Sequence, residues 1–368
     1  MQEIASGRRA LLAAAWVLAF LVPRIAAAAG STALERLHQR LLSAEIPGVH
    51  SVLIEQRDTS IAQWYFQGTD EQRGSAPATV KFGPDTLHDL RSVTKSVVSL
   101  LFGMAMHEGA IKSLDTPVLD YFPEYRDLQT PERRRIRLRD ILTMTSGLHW
   151  DESLSYRDPR NSETAMDMAP DRYRYVLSSP IDSPPGVRWR YSGGDVALVA
   201  AVIARATGMS LDQYAKGLFS ALGITRFTWY KDARGVPIAA SGLRLTPPEM
   251  LQIGQLVMHG GRDSAGHQII PESWIAEATQ PHAKAYDGRR CTVEYGYLWW
   301  LGPRCPRPWI AAIGNGGQRI FLVPDRHLLV VTTAGLYNSR SQNEVDDIVS
   351  SIEDALAEPP AAGAAGSH

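Results

Sequence analysis

Apolar residues recur at the three- and four-residue spacing of an amphipathic helix in several stretches of the chain. The most apolar of these stretches begins directly after Ser92, and Gly109 can end it. Its apolar face is formed by Val93, Val97, Leu100, Leu101 and Met104. Because few polar residues stand on the opposite face, we expect this helix to be buried on most sides. Three more helices are predicted: one that begins at Thr32, one from Asp195 to Arg205, and one that ends near Leu356.

Short apolar runs separated by polar turns predict strands near both ends of the chain. The first pair of runs is Val52–Ile54 and Ile61–Phe66. The second pair, Ile320–Val323 and Leu328–Thr333, flanks the turn-forming residues Pro324–His327. The second pair is therefore predicted to be a hairpin, and the first pair a similar two-stranded unit.

These elements follow one another as helix, strands, a long helical middle, strands and helix. We therefore expect the α/β (α+β) class, with one antiparallel sheet flanked by helices and built from residues 31–112 and 241–357. Residues 113–240 are rich in proline and in short helical runs. They are predicted to form an inserted, mostly helical lobe without strand pairs. The tail 358–368 is mostly Pro, Ala and Gly and is predicted to be disordered.

The N-terminus has the pattern of an export signal. Two arginines precede an uncharged apolar stretch from Ala10 to Val22, and Ala26–Ala29 offers Ala-x-Ala cleavage sites. Residues 1–29 are therefore predicted to be a signal peptide, which would leave a periplasmic or secreted chain without a stable membrane anchor. An uncleaved N-terminal anchor is the alternative, and the sequence does not decide between the Sec and twin-arginine routes.

Composition narrows the possible partners. A formal net charge of -1 gives no electrostatic argument for a nucleic-acid partner. The chain has no His-Glu-x-x-His and no paired Cys-x-x-Cys, so neither a metal nor another cofactor is expected. Its two cysteines, Cys291 and Cys305, bracket the aromatic run Tyr295–Trp300, which has the composition of a strand. In an oxidising compartment these cysteines are expected to form a disulfide, and two buried free thiols are the alternative.

The start of the most apolar helix carries candidate chemistry, because Ser92 and Lys95 form an S-x-x-K sequence. One helical turn places the hydroxyl and the amine on the same face. A serine at a helix start also lies near free backbone N–H groups that favour developing negative charge. A desolvated lysine can lose its proton and activate the hydroxyl. Ser92 is thus the candidate nucleophile and Lys95 its activating base; a helix cap beside a lysine that reaches solvent is the alternative.

Four motifs, in order along the chain, resemble those of the penicillin-recognising serine hydrolases, which comprise β-lactamases, D-alanyl-D-alanine peptidases and related esterases and amidases. The motifs are Arg91–Ser96, Leu142–Leu148, Tyr191–Gly193 and Gly314–Gln318. The resemblance extends over nearly the whole mature chain and is nearest to the class C-like subgroup that includes the 6-aminohexanoate-dimer hydrolases. It implies a β-lactamase/transpeptidase-like fold and no cofactor.

The resemblance also implies roles for residues outside the S-x-x-K sequence. Tyr191 stands where the family keeps a phenol that takes the serine proton and returns it to the leaving group. The backbone N–H groups of Ser92 and Gln318 would form the oxyanion hole. Trp150, Asp151 and Glu152 follow the second motif and are predicted to edge the substrate pocket, with Tyr156 nearby; ordinary surface-loop residues are the alternative.

Two departures from the family pattern bear on the substrate. The family often has Tyr-x-Asn, whereas the third residue here is Gly193. The family usually has Lys-Thr-Gly or His-x-Gly on a strand, whereas this chain has Asn315, Gly316 and Gly317, whose glycines would let a substrate lie against the backbone. Asn315 brings no charge for a substrate carboxylate, although Arg319 would compensate if it pointed inward. An ester or amide is therefore favoured over a β-lactam.

Together these features predict an exported serine hydrolase, a carboxylesterase or amidase, that cleaves a small-molecule ester, amide or short peptide through an acyl-enzyme on Ser92. The chain has no G-x-S-x-G, which argues against an α/β-hydrolase. The alternatives are a β-lactamase or D-alanyl-D-alanine peptidase, and a non-catalytic cell-wall sensor that is acylated and stalls. The acyl group, the leaving group and the oligomeric state are not determined by the sequence.

Overall fold

The computed structural model describes residues 32–357 except 74 and 289–290. The predicted signal peptide, 1–29, and the predicted disordered tail, 358–368, lie outside the described residues. Within them, no single helix is long and apolar enough to cross a membrane, although one bent pair of helices, Gly193–Thr207 with Leu211–Ala221, has the required length and composition when taken together. The described residues also contain no group of three or more His, Cys, Asp or Glu side chains arranged to hold a metal ion.

The chain divides into two compact units. One comprises the described residues of Met1–Gly48 and Asn343–His368, and the other comprises Val49–Gln342. The first unit contains helix α1 (32–42) and helix α10 (Glu344–Ala355). The buried apolar residues of these two helices are Leu34, Leu37, Leu41, Val345, Ile348, Val349 and Ile352, as their helical spacing predicts.

The second unit is built on an eight-stranded antiparallel sheet with the order β2-β1-β13-β12-β11-β10-β9-β8. Its strands are β1 (Val49–Gln56), β2 (Thr59–Tyr65), β8 (Ala283–Asp287), β9 (Thr292–Tyr295), β10 (Trp300–Leu301), β11 (Ile310–Gly314), β12 (Gln318–Val323) and β13 (Leu328–Ala334). The two predicted strand pairs are confirmed: β1 pairs with β2, and β12 pairs with β13. Strands from the two ends of this unit meet where β1 pairs with β13, so the expected joining of distant segments in one sheet is also confirmed.

Smaller strands and the remaining helices complete the second unit. The strands are β3 (Gln67–Asp70) with β4 (Ala78–Lys81), and β5 (His88–Asp89), β7 (Leu243–Leu245) and β6 (Thr228–Trp229) in that order. The helices are α2 (Val93–His107), α3 (Leu138–Leu142), α4 (Ser162–Met168), α5 (Arg172–Ser178), α6 (Gly193–Thr207), α7 (Leu211–Ala221), α8 (Pro247–Met258) and α9 (Glu272–Ala278). Helices α3 to α7 all fall in the predicted helical stretch, while the exact boundaries at residues 112 and 240 stay a prediction.

One local expectation is wrong, and one strand was missed. The run Tyr295–Trp300 is not one strand, because β9 ends at Tyr295, β10 begins at Trp300, and the chain reverses between them with Leu298 at φ 63°. Aromatic residues indicate burial and not a particular backbone conformation, and here the turn is buried together with the strands. The middle of the chain also contains one short strand that the sequence did not predict, β6, which pairs with β7 outside the predicted lobe. Two-residue strands of this kind lack the alternating pattern by which a sequence reveals strands.

A disulfide joins Cys291 and Cys305, with a Cα–Cα distance of 5.1 Å. Cys291 directly precedes β9, and Cys305 follows β10. The bond therefore closes the β9–β10 hairpin at its open end.

Helix α2 lies at the centre of the second unit and contacts α6, α9, β11 and β12. Most of its residues are buried, as the near-absence of a polar face predicts. Its contact with α9 is close: a Cβ added at Gly103 would lie 2.2 Å from the Trp274 ring, whose Nε1 donates to the Ser99 carbonyl at 3.1 Å. The glycine therefore lets the indole lie directly on the helix backbone.

We predict that Gly103→Ala lowers the free energy of unfolding by about 1–3 kcal/mol, because overpacking a rigid contact outweighs the ~1 kcal/mol that Ala gains over Gly in a helix. Urea denaturation followed by circular dichroism measures it. Gly83→Ala is the control, since a Cβ there has no neighbour within 4 Å. Equal stability of the two variants would contradict this packing.

Candidate active site

Ser92 lies at the junction between strand β5 and helix α2, where it is the N-cap residue. The strand anchors the approach, since the Leu90 N–H donates to the Leu243 carbonyl at 3.0 Å. Arg91 then turns the chain with φ at 49°, in the left-handed region that few residues other than glycine adopt. Backbone conformations of this kind concentrate at functional sites. The turn leaves the Ser92 hydroxyl at the start of a buried helix.

Lys95 lies one turn further along α2 and is only 2% exposed. Its Nζ donates to Ser92 Oγ at 3.0 Å and to the Ala240 carbonyl at 2.8 Å. Burial lowers the pKa of this amine below its usual value, and the negative charges of Glu163 and Glu152 act in the opposite direction. The predicted proximity of hydroxyl and amine is therefore present, and burial makes the charged form of the amine less favourable than in water.

Tyr191 packs against the same amine. Lys95 Nζ lies 4.9 Å from the centre of the Tyr191 ring, and that ring stacks on Trp300 with centroids 5.7 Å apart. Burial raises the pKa of the phenol, while a side-chain hydrogen bond with Ser92 acts to lower it. Ser192 fixes the segment, because its hydroxyl caps α6 by accepting from the Asp195 N–H at 3.0 Å. Ser92, Lys95 and Tyr191 thus meet at one point.

The third motif approaches Ser92 along strands β11 and β12. Gly314 pairs with Gln318, and a Cβ at Gly314 would lie 2.3 Å from the Leu90 carbonyl and 3.3 Å from the Val93 nitrogen. Only a residue without a side chain lets the strand lie this close to the start of α2. The turn between the strands uses Gly316 and Gly317, with φ at 94° and 97°. The close approach at Gly314 therefore brings β11, and with it the paired residue Gln318, toward the start of α2.

Side chains of this motif are held in place by local hydrogen bonds. Gln318 is fully buried and donates to the Ala334 carbonyl at 2.5 Å, so its side chain is directed toward β13. Asn315 donates to Asn338 Oδ1 at 2.7 Å. Arg319 is 3% exposed, and its guanidinium donates to the carbonyls of Gly314 and Gln318 at 3.0 and 3.1 Å. Arg319 is thus directed to the strand backbone and does not supply the inward-pointing charge that the sequence allowed for.

A cavity of about 350 Å³ opens above Ser92. Its lining residues are Arg73, Arg91, Ser92, Tyr156, Glu163, Thr164, Asp167, Met168, Ser241, Asn315 and Asn338. Tyr156 and Asn315 therefore edge this space. Trp150 does not line it: the indole is 2% exposed and donates to Glu152 Oε1 at 2.6 Å. Its ring lies against Gly194 at the start of α6, and its N–H orients Glu152.

The geometry agrees with comparisons to known proteins. The family model described as "Beta-lactamase" matches residues 33–350. The chain belongs to the beta-lactamase family. The resemblance read from the four motifs, and the fold it implied, are both confirmed.

One relative of this beta-lactamase-family chain is the 6-aminohexanoate-dimer hydrolase of Paenarthrobacter ureafaciens, which is 23% identical over 274 residues, 68% of this chain and 66% of that protein. The chain thus spans slightly less than two thirds of that relative. Among solved structures, EstCE1, "a hydrolase with promiscuous acyltransferase activity", is 17% identical with a TM-score of 0.70. The superposition covers 90% of this chain and 99% of the EstCE1 chain. A class C beta-lactamase in complex with cefoxitin is 19% identical with a TM-score of 0.64, covering 89% and 99%. These structural likenesses show the fold.

Sequence reasoning missed three charged residues that line the cavity, Arg73, Glu163 and Asp167. Glu163 is 6% exposed, and Arg73 donates to Ser241 Oγ at 2.6 Å. In the sequence, Glu163 is an ordinary acid in the first turn of a helix capped by Asn161, and Arg73 lies in an irregular segment. None of the three has a motif, so only the tertiary structure assigns them to the cavity.

We predict that Gly314→Ala slows labelling of Ser92 by a fluorophosphonate roughly 100-fold, because the added methyl displaces β11 and β12 from the helix start by a fraction of an ångström or more. The labelling rate of the purified protein measures the effect, and circular dichroism reports on folding. Gly83→Ala is again the matched control. A folded Gly314→Ala variant that labels at the rate of the parent would show that the close approach has no part in acylation.

Proposed function

We propose that this chain hydrolyses a small ester or amide through an acyl-enzyme on Ser92, activated by Lys95 and Tyr191. The observation that carries the proposal is the buried amine 3.0 Å from Ser92 Oγ. A lysine buried beside a serine hydroxyl at a helix start has the basicity and the position of a general base. The fold and the family membership support hydrolase chemistry at this position.

In the acylation step, Ser92 Oγ bonds to the substrate carbonyl carbon while its proton passes to Lys95 Nζ. The carbonyl oxygen becomes an oxyanion, which the backbone N–H groups of Ser92 and Gln318 stabilise. The bond to the leaving group then breaks, and that group departs with the proton, relayed through the Tyr191 phenol. The positions of Ser92, Lys95 and Tyr191 support this step, and the role of the Gln318 N–H follows from the family resemblance.

In the deacylation step, water attacks the acyl carbon and gives its proton to the same base. The bond to Ser92 Oγ breaks, the acid leaves, and the serine recovers a proton. The cycle uses only protein groups and water, so it requires no metal and no other cofactor.

A small uncharged or weakly charged acyl compound is the substrate we favour. The cavity volume of about 350 Å³ suits a small molecule or short peptide. The third motif offers Asn315 in place of a lysine, and Arg319 is directed to backbone carbonyls. These features favour esters and amides over β-lactams.

A β-lactamase or D-alanyl-D-alanine peptidase is the second candidate, and one observation favours it. Arg73 and Arg91 both line the cavity, so positive charge for a substrate carboxylate comes from elements other than the third motif. Arg91 is partly engaged by Asp89, at 3.4 Å, and stacks on Tyr337. These contacts leave Arg73 as the principal cation for such a substrate.

We further propose that the chain is exported to the periplasm or secreted. The basic, then apolar, then alanine-rich N-terminus supports it. The disulfide between Cys291 and Cys305 supports it independently, since such bonds persist in oxidising compartments.

Ser92→Ala is expected to abolish turnover because it removes the nucleophile, and Lys95→Ala to reduce turnover by at least 1,000-fold because it removes the base. The assay is a screen of short-chain p-nitrophenyl esters, D-alanyl amides, linear 6-aminohexanoate dimer and nitrocefin. Ser220→Ala and Lys216→Ala, two exposed positions on α7, are the controls. Near-parental activity of Lys95→Ala would refute the proposal, acylation of Ser92 without turnover would establish the sensor alternative, and turnover of nitrocefin alone would establish the β-lactamase.

Expression of the full chain in a Gram-negative host tests export. We expect the protein in the periplasmic or culture fraction with an N-terminus between residues 27 and 31, determined by mass spectrometry. An intact N-terminus in the membrane fraction would instead establish an uncleaved anchor.

A further inference from the structure

Gly193 stands where the related enzymes often carry the asparagine of Tyr-x-Asn, and the space beside it is not empty. A Cβ at Gly193 would lie 2.7 Å from Glu163 Oε2 and 3.1 Å from Glu152 Oε1. A side chain at this position would require the Glu163 carboxylate to move. Two acidic groups from a different segment of the chain therefore occupy the position of the missing amide.

Glu152 is held there by three donors. Its Oε1 accepts from the Gly193 N–H and from Trp150 Nε1, both at 2.6 Å, and its Oε2 accepts from the Tyr156 hydroxyl at 2.9 Å. A carboxylate with this many short hydrogen bonds has a fixed orientation. The N–H of Gly193 begins α6, so Glu152 also lies at the positive end of that helix.

Glu163 is fixed from the other side. It lies in the first turn of α4, whose cap Asn161 accepts from the Glu163 N–H at 3.0 Å. Its Oε1 accepts from the Ser241 hydroxyl at 3.4 Å, and Ser241 in turn accepts from Arg73 at 2.6 Å. Ser241 directly follows Ala240, whose carbonyl accepts from Lys95. The carboxylate is thus joined to the segment that holds the lysine amine.

Both carboxylates act electrostatically on Lys95. Their charges raise the pKa of the amine against the larger lowering effect of burial, with Glu163 the stronger of the two. Burial, followed by the charge of Glu163, raises the pKa of the Glu152 carboxyl. The other titratable and charged groups that face this cluster are Arg73, Tyr156, Asp167, Tyr191, Asp195 and Tyr295.

We propose that Glu152 and Glu163 are positioning residues that replace the amide at Gly193 and serve as the counter-charge for Lys95 when it takes the Ser92 proton. This inference rests on the proposed function. In acylation a buried neutral amine becomes a buried ammonium, and such a charge is unfavourable unless an opposite charge is near. The carboxylates receive no proton in this step; they stabilise the one that moves from Ser92 Oγ to Lys95 Nζ.

The pH dependence of kcat/KM separates this role from a purely structural one. Activity needs neutral Lys95, so it rises with pH through the pKa of that amine. Removing one nearby negative charge makes the amine a weaker base. In Glu163→Gln we therefore expect the acid limb of the kcat/KM profile, the part that rises with pH, to shift to lower pH by about one unit. The plateau of kcat should fall roughly tenfold, and KM should change little. Glu152→Gln is expected to shift the limb in the same direction by less.

Glu132→Gln, an exposed carboxyl-to-amide change, is the control and is expected to match the parent. A second pair of variants tests the replacement of the amide directly. Glu163→Ala should lose activity, and Glu163→Ala with Gly193→Asn should recover part of it, since an asparagine then has space. Gly193→Asn alone should lose activity because its Cβ meets Glu163.

The outcomes are distinguishable. If the parent shows no Ser92-dependent turnover, the proposed function fails. If the parent is active but the folded Glu163→Gln and Glu152→Gln variants keep the acid limb of the parent, the counter-charge role is overturned. A rise in KM with kcat and the limb unchanged would assign Glu163 to substrate binding instead and would also overturn it. Should one glutamine variant fail to fold, as judged by circular dichroism, the other decides.

Discussion

The buried amine of Lys95 is the constraint on which the rest of the site depends. An ammonium group removed from water loses its hydration, so it is tolerated only where hydrogen bonds and opposite charges replace the solvent. Here the Ser92 hydroxyl and the Ala240 carbonyl accept its hydrogen bonds, and two carboxylates lie near enough to affect its pKa. The same burial that disfavours the ammonium form lowers the pKa of the amine, and the proposed base role of Lys95 requires this lowering.

Two glycines, which have no side chain, determine how closely the surrounding elements approach this amine. At Gly314 the absent Cβ allows β11 to contact Leu90 and Val93, which flank Arg91 and Ser92. At Gly193 it leaves space for Glu152 and Glu163. In both places a backbone or a carboxylate occupies the volume that a side chain would need. Packing at these two glycines thereby fixes the distance between the nucleophile, the strand and the acidic pair.

Much of the fold was predictable from local patterns. The apolar face of α2, the pairing of β12 with β13 and the terminal helices follow from spacing along a few turns or a few residues. The sequence-based predictions failed where a residue's burial does not reveal its backbone conformation. The run from Tyr295 to Trp300 has strand composition but contains a buried turn, and the two-residue strand β6 depends on its partner β7. Neither has a periodic signal that a sequence can carry.

The sequence by itself determined the pair of Ser92 and Lys95, because one helical turn sets their separation wherever the helix lies. It also placed Tyr191 and the glycines of the third motif in order along the chain. Only the tertiary structure decided what surrounds the amine. The Ala240 carbonyl is 145 residues from Lys95 in sequence, and no sequence motif marks Glu163 as part of the site. The electrostatic environment of a buried group depends on contacts between distant segments, and these are set by packing, which local spacing does not encode.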